Sequence, residues 1–292
     1  MWKLLAKLDK VDRKVIYLTL FIAAGLPFFV SIRIPVKPWK ETEAAFNLVD
    51  SCPEDKVVAI CSNWTAGSQG ENWGQYEAIV AHCMMKKIKL VVFSLDGDAI
   101  APQMAEAVNE TQARKYGRQY GVDWVNLGRT VGAPLTMAAI GRNLKSVFPR
   151  DLRGYATNDS AKLPILQGVN GCEDFQILWA IEYQPNVDWM VWLDPSGTTP
   201  IAFASAGIVT TSWYPYLSSG QMKGMMAGIR GAAEYEDLLR QKYGKRYLDS
   251  DPRPRGGRLL VPLAFGHLVI IAFILIGNLG TLAVKRMKRS AQ

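Results

Sequence analysis

Two uncharged apolar runs, one near each end of the chain, limit its fold more than any other feature. Residues 15–32 and 259–284 contain no Asp, Glu, Lys or Arg. In a helix, with a rise of about 1.5 Å per residue, the shorter run reaches roughly 27 Å, close to the hydrocarbon thickness of a bilayer. The sequence therefore predicts two transmembrane helices. A cleaved signal peptide is the alternative for the first run, and a buried core helix for the second.

Basic residues are concentrated outside these two runs. Residues 1–14 carry five basic and two acidic side chains, and residues 285–292 carry four basic ones. Of the formal charge of +8, only +1 is left for residues 15–284, so the middle of the chain lacks the positive charge typical of nucleic-acid binding. The basic ends suit anionic lipid headgroups and predict that both termini are cytoplasmic, with the main domain periplasmic or extracellular.

The predicted organisation follows from these runs. It consists of a basic cytoplasmic tail (1–14), a transmembrane helix (15–32), an extracytoplasmic domain (33–258), a second transmembrane helix (259–284) and a basic cytoplasmic tail (285–292).

Within the domain, short apolar runs alternate with longer helical patterns. This alternation predicts an α/β fold, a mostly parallel sheet with helices on both faces and a flavodoxin-like or Rossmann-like outline. The expected strands are 56–61, 90–95, 123–127, 163–167, 189–193 and 208–211, and the expected helices are 71–85, 102–120, 134–148, 172–183 and 220–243.

Candidate ligand-binding residues follow the predicted strands, because open parallel sheets bind ligands beyond the carboxyl ends of their strands. The loop after the first strand could offer free backbone N–H groups to an anion, and the aspartates after later strands could hold a divalent cation. Ordinary loop and turn chemistry is the alternative for both groups. The candidates are Ser62, Asn63, Thr65, Gly67, Ser68, Gly70, Asp96, Asp98, Asp194 and Ser196.

Residues typical of catalysis and of metal binding are scarce. The two histidines, His82 and His267, lie in a predicted helix and in an apolar run, so we expect neither a Ser-His-Asp arrangement nor a zinc site. No catalytic residue, metal site or cofactor is predicted. The four cysteines either pair in an oxidising compartment or stay buried as free thiols.

Small residues recur every four positions in the predicted helix 220–243. Gly220, Gly224, Gly228 and Ala232 would lie along one side of it. Three helical glycines cost roughly 3 kcal/mol relative to alanine, a cost that close approach of another backbone would offset. That backbone belongs either to a partner or to the domain's own sheet. Gly277, Asn278 and Gly280 suggest similar close packing in the second apolar run.

These features favour a non-catalytic scaffold or interaction subunit of a multi-protein membrane assembly. Its expected partners are the lipid bilayer and other membrane-protein subunits or further copies of the chain, but not nucleic acid. Two alternatives stay open: a ligand-sensing or solute-binding domain, and a metal-assisted transferase or hydrolase that uses the strand-end loops.

Overall fold

The computed structural model describes residues 11–30, 32, 34–95, 99–132, 134–185, 192–248 and 254–289, without the side chain of residue 288. The chain forms two compact units, which are described separately. Residues 1–35 and 258–292 make up the apolar unit, and residues 36–257 make up the α/β unit.

The α/β unit is built on six parallel strands with helices on both faces. Its strands are β1 (Val57–Asn63), β2 (Lys89–Ser94), β3 (Trp124–Arg129), β4 (Ile177–Glu182), β5 (Ile201–Ser205) and β6 (Met222–Ala227). Their order across the sheet is β3-β2-β1-β4-β5-β6. The sequence-based prediction of a mostly parallel, Rossmann-like α/β fold is therefore confirmed.

The α-helices of the described residues in both units are numbered in chain order. They are α1 (Arg13–Gly25), α2 (Lys40–Asp50), α3 (Gln69–Met85), α4 (Ala101–Tyr116), α5 (Pro134–Val147), α6 (Tyr214–Ser218), α7 (Gly228–Tyr243), α8 (Lys245–Leu248) and α9 (Arg255–Arg289).

Two apolar cores form because successive strand residues point to opposite sides of the sheet. One core lies beneath α2, α3, α4 and α7 and contains Ile60, Trp179 and Tyr235. The other lies beneath α5 and the loops around it and contains Phe203 and Trp213, whose ring centroids are 4.4 Å apart. Strands buried on both faces explain the continuous apolar runs in the sequence.

Helix α2 joins the beginning of this unit to its last strand. Its buried residues Thr42, Ala45, Phe46 and Val49 recur at helical spacing, which gives the helix one apolar side. The backbone of Gly224 in β6 lies so close to the backbone of Ala45 that any side chain at this glycine would collide with it.

The predicted small-residue helix side is therefore wrong. Its first part is a turn and strand β6, and the helix begins only at Gly228. Gly220 and Gly228 adopt positive φ angles of 76° and 56°, which glycine tolerates better than other residues. Gly224 contacts α2, and Ala232 is a buried residue of α7. Inside the α/β unit, Gly220 therefore lies in a turn, Gly228 begins helix α7, and Gly224 allows close contact between β6 and α2.

Several other predicted elements are corrected. Short apolar runs fit the strand period and the helix period equally well, so length and periodicity did not separate the two. Helix 172–183 is wrong because it contains β4, and strands 163–167 and 208–211 are wrong because 3₁₀ turns occupy them. In predicted strand 189–193, residues 189–191 lie outside the described residues and 192–193 form a helical turn. Helix α2 and strand β5 were missed.

The described residues contain one candidate membrane span rather than two. Among the described residues, only the 33-residue stretch Arg255–Met287 of α9 is a helix long and apolar enough to cross a bilayer. Helix α1 has 13 residues, or about 20 Å, and Pro27 then lies in a 3₁₀ turn. The prediction of two transmembrane helices is thus wrong. Both termini can lie in the cytoplasm only if the chain crosses the membrane an even number of times. With one candidate span, the structure does not support that prediction.

The small residues predicted to pack in the second run lie in α9. A Cβ atom built on Gly277 would meet no other atom within 4 Å, so the structure shows no close approach at this glycine. Asn278 is exposed and Gly280 is buried.

Candidate functional site

The point where the strand order reverses, between β1 and β4, holds a buried amide and a buried carboxylate. Asn63 and Glu182 end these two strands and are paired in register. The Asn63 Nδ2 group donates to Glu182 Oε1 at 3.0 Å, and the Leu95 backbone N–H donates to Asn63 Oδ1 at 2.8 Å. Doubly wound parallel sheets bind their ligands in the crevice at this point.

The polar row continues onto the next strand. Ser205 ends β5 in register with Glu182, and its hydroxyl lies 3.2 Å from the hydroxyl of Thr210. Asn63, Glu182 and Ser205 are at most 2% exposed. Because side chains alternate along a strand, all three lie on the same side of the sheet as the core beneath α5. A carboxylate accepts hydrogen bonds, whereas amides and hydroxyls both donate and accept. The row can thus bind groups that carry O–H or N–H.

The opposite side of the same edge contains buried polar atoms without partners. Among the described residues, the hydroxyls of Ser62 and Ser94 accept and donate no hydrogen bond, and neither the Trp64 indole N–H nor Asn72 Oδ1 has a partner. Ser62 and Ser94 lie at the carboxyl ends of the adjacent strands β1 and β2. Each such atom costs about 1–3 kcal/mol. Similar atoms occur elsewhere, in α4 and on core indoles.

In the loop between β1 and α3, the side-chain hydroxyls accept hydrogen bonds from the loop's own backbone N–H groups. The Thr65 backbone N–H donates to Ser68 Oγ at 3.0 Å, and the Ser68 N–H donates to Thr65 Oγ1 at 3.3 Å. Glu71, in the first turn of α3, accepts from the Gly207 N–H at 2.7 Å. Its negative charge occupies the region where an anion would bind, so the geometry does not favour the predicted anion cradle. Gly67 and Gly70 lie in this loop and this turn.

A buried glutamine joins α3 to the neighbouring strand ends. Gln75 Nε2 lies within hydrogen-bond distance of three carbonyl oxygens, at 2.9 Å from Ser205, 3.0 Å from Gly228 and 3.3 Å from Met226. Asn72 Nδ2 in turn donates to Gln75 Oε1 at 2.9 Å. This contact fixes the start of α3 relative to β5 and β6 and so shapes the carboxyl edge.

The predicted aspartates do not form a cation site in the described structure. Asp194 accepts from Ser196 Oγ at 2.8 Å and from the Thr199 N–H at 2.6 Å, which makes it the centre of a turn. Asp96 and Asp98 lie outside the described residues. The described residues contain no group of three or more His, Cys, Asp or Glu side chains placed to hold a metal ion.

All four cysteines are buried free thiols, which resolves the alternative left open by the sequence. Burial raises the pKa of Cys83 well above its ordinary value, so the reactive thiolate is disfavoured. Cys61, on β1, donates to Asn63 Oδ1 at 3.2 Å and supports the amide of the polar row.

A second buried polar cluster lies towards the amino ends of the strands, where the helices that return along the sheet finish. His82 of α3 is fully buried, with Nδ1 2.8 Å from the Tyr235 hydroxyl and Nε2 3.2 Å from the Tyr243 hydroxyl. Tyr243 donates to Asp50 at 2.8 Å, and Lys242 also contacts that carboxylate. A neutral His82 with its proton on Nε2 satisfies every one of these bonds.

Electrostatics in this cluster favour neutral His82 beside charged Asp50. Burial lowers the pKa of His82 to about 4, although the hydrogen bond with Asp50 opposes the shift. Hydrogen bonds from His82, Lys242 and Tyr243 hold the pKa of Asp50 well below its ordinary range, against the effect of burial.

Sequence reasoning missed Glu182 and Ser205 because both strands that carry them were missed. β4 was predicted as part of a helix, and β5 was not predicted. The run Ile177–Glu182, with its Ile, Leu and Trp side chains followed by a carboxylate, carried a strand signal of its own.

The chain matches no protein-family model and no curated protein, and the solved structures that it matches are only weakly similar. Among solved structures, an α,α-trehalose-phosphate synthase (UDP-forming) from Burkholderia vietnamiensis is 12% identical with a TM-score of 0.29. A trehalose-6-phosphate synthase, OtsA, is 10% identical with a TM-score of 0.28. The chain is covered to 92% in both cases but spans only about half the length of each synthase, 50% and 48%.

The prediction of a non-catalytic scaffold subunit is wrong. It depended on a glycine-lined helix side available to a partner, whereas Gly224 is in β6 and packs on α2.

Proposed function

We propose that the α/β unit is a membrane-anchored domain that binds a neutral, polyhydroxylated small molecule at the carboxyl edge of its sheet. The Asn63–Glu182 pair at the reversal between β1 and β4 carries this proposal. A buried amide and carboxylate at this edge are suited to bind the hydroxyl groups of a sugar, a cyclic polyol or a nucleoside.

Charge favours a neutral ligand over a phosphorylated one. Glu182 lies in the polar row, and Glu71 lies at the start of α3. Carboxylates at these two positions repel an anion, and the effect is strong where water is excluded. Hydroxyl groups, in contrast, donate to carboxylates and gain charge-assisted hydrogen bonds.

Catalysis at the same site is the second candidate, and the position of Glu182 favours it. A carboxylate that accepts a hydrogen bond from a ligand hydroxyl can take its proton when that oxygen attacks a second substrate. Glu182 would then act as general base, and Asn63 would orient it through the 3.0 Å hydrogen bond. The reaction class is transfer of a group from a donor substrate to the hydroxyl oxygen: the bond from this oxygen to the group forms, and the bond between the group and the rest of the donor breaks, so that the rest of the donor departs with the electron pair.

Anchoring by α9 is part of the proposal. The helix Arg255–Met287 is long and apolar enough to span a bilayer, and Lys285, Arg286 and Arg289 at its end suit the headgroup region. The anchored protein should stay with membranes in alkaline carbonate, and its release into the supernatant would contradict anchoring.

Ligand binding is tested with the full chain in detergent micelles. Neutral monosaccharides, inositol and nucleosides are compared with their phosphates, and the thermal midpoint and the dissociation constant are measured. We expect a neutral polyol to bind and Glu182→Gln to weaken it about tenfold, or about 1.4 kcal/mol, because a charged acceptor is lost. Glu110→Gln, an exposed carboxylate on α4, is the matched control and should bind normally.

Two results would contradict the ligand proposal. One is binding of phosphorylated compounds with no binding of neutral ones, and the other is undiminished binding by Glu182→Gln. For the catalytic candidate, Glu182→Gln should abolish turnover while the ligand still binds at raised concentration.

A further inference from the structure

The first turn of α9 is held by the α/β unit itself. Glu236 of α7 accepts from the backbone N–H groups of Gly256 and Gly257, each at 2.7 Å. A carboxylate at a helix N-terminus satisfies free N–H groups and interacts favourably with the helix dipole. Gly256 also lies against Ala232 of α7 and Gly74 of α3, with no room for a side chain. The start of α9 is therefore fixed on α7 and α3.

An aromatic contact links this helix start to the candidate site. The Arg255 guanidinium lies 4.4 Å from the ring centroid of Trp73, which is in the first part of α3. The ring of Trp73 is 5.9 Å from that of Trp64, and Trp64 directly follows Asn63. Two ring contacts thus separate the first residue of α9 from the residue next to the polar row.

A second tryptophan–arginine pair joins the residue before α2 to the first part of α7. The Arg230 guanidinium is 4.2 Å from the ring centroid of Trp39, which is 40% exposed. Glu234, two residues before Glu236, accepts from Arg230 Nε at 2.7 Å, from the Trp39 N–H at 3.1 Å and from Thr42 Oγ1 at 2.8 Å. Two carboxylates of α7, two residues apart and on different sides of the helix, therefore contact the residue before α2 and the start of α9.

We propose that the two tryptophan–arginine pairs, Trp39 with Arg230 and Trp73 with Arg255, rest on phospholipid headgroups. Residues in contact with the first turn of a spanning helix lie at the boundary between lipid and water. Tryptophan is enriched at this boundary, and arginine keeps its charge at the headgroups while its stem contacts apolar groups. The proposal rests on the anchoring part of the proposed function.

The test uses the full chain in phosphatidylcholine vesicles, with and without a lipid that carries a nitroxide on its headgroup. Tryptophan is replaced by 5-fluorotryptophan, and Trp39→Phe and Trp73→Phe assign the two fluorine signals. We expect the nitroxide to broaden both signals strongly, because paramagnetic broadening acts only over short distances. The buried indoles of Trp124, on the edge strand β3, and Trp213, in the opposite core, are internal controls that should stay sharp.

The outcomes separate this inference from the anchoring on which it rests. Sharp Trp39 and Trp73 signals in protein that resists carbonate extraction would overturn the surface assignment and leave anchoring intact. Equal broadening of Trp39, Trp73, Trp124 and Trp213 would overturn it too. Protein that leaves the vesicles in carbonate would refute anchoring itself and this inference with it.

Discussion

The two edges of the sheet use buried polar side chains in opposite ways. At the amino edge, one neutral tautomer of His82 satisfies Tyr235 and Tyr243, and Asp50 is bonded to its neighbours. At the carboxyl edge, the Asn63–Glu182 pair shares the edge with the hydroxyls of Ser62 and Ser94, which have no partner among the described residues. The comparison indicates that the buried polar groups of the amino edge satisfy one another, whereas at the carboxyl edge some buried hydroxyls have no partner among the described residues.

The largest expected effect comes from breaking the amino-edge cluster. His82→Leu removes the partner of the Tyr235 hydroxyl and a partner of the Tyr243 hydroxyl, so the free energy of unfolding should fall by about 3–4 kcal/mol at neutral pH. Denaturant unfolding in micelles measures it. Ligand binding at the other edge should persist under conditions where the variant is folded. An unchanged stability would show that the cluster is not structural.

Lowering the pH should also reduce the free energy of unfolding of the natural protein, by part of the amount expected for His82→Leu. His82 has a folded pKa of about 4 against an ordinary 6.5, so between these values the unfolded chain binds a proton that the folded chain does not. Stability is therefore lost as pH falls through this window, by about 3 kcal/mol at most. Asp50 adds a loss only below its ordinary pKa of 3.8.

The measurement is the free energy of unfolding at pH 7 and at pH 4.5. His82→Leu should be nearly independent of pH over this interval. His267→Leu, at the other histidine of the chain, is the matched control and should keep the pH dependence of the natural protein. An equal loss in all three proteins would assign the acid sensitivity to other groups.

The smallest expected effect tests the spare capacity of the carboxyl edge. Ser62→Ala removes a buried hydroxyl with no partner and should raise the free energy of unfolding by about 0.5–1 kcal/mol. Ser205→Ala is the matched control, because this equally buried serine lies 3.2 Å from the Thr210 hydroxyl. It should lower stability by about 1 kcal/mol. Equal effects of the two substitutions would remove the distinction between partnered and unpartnered groups.

The first half of the sheet could be predicted from the sequence, and the second half could not. β1, β2 and β3 alternate with long helical patterns, so both length and period separate strand from helix. In the second half the described residues between β4 and β5 form no long helix, and the apolar spacing at Ile177–Glu182 fits either structure. Asn63 was therefore found as a site residue, whereas its partner Glu182 was not.

Contacts between residues that are distant in the sequence could not be predicted either. That Gly224 accommodates Ala45, or that Glu236 binds the start of α9, depends on residues distant in the sequence, which no local pattern reveals. The first apolar run has enough uncharged residues to cross a bilayer. Its helix, however, ends at Gly25, just before Pro27, and is too short to count as a second candidate span.

The contact between Ala45 and Gly224 has a kinetic consequence. Helix α2 is made early by the ribosome, yet the strand that buries its apolar side comes last in the sheet. During synthesis the side of α2 that carries Ala45 stays without its contact with β6 until almost the whole α/β unit has emerged. Such late closure slows folding and leaves α2 open to wrong associations, so this short helix is where a nascent chain would need a chaperone most.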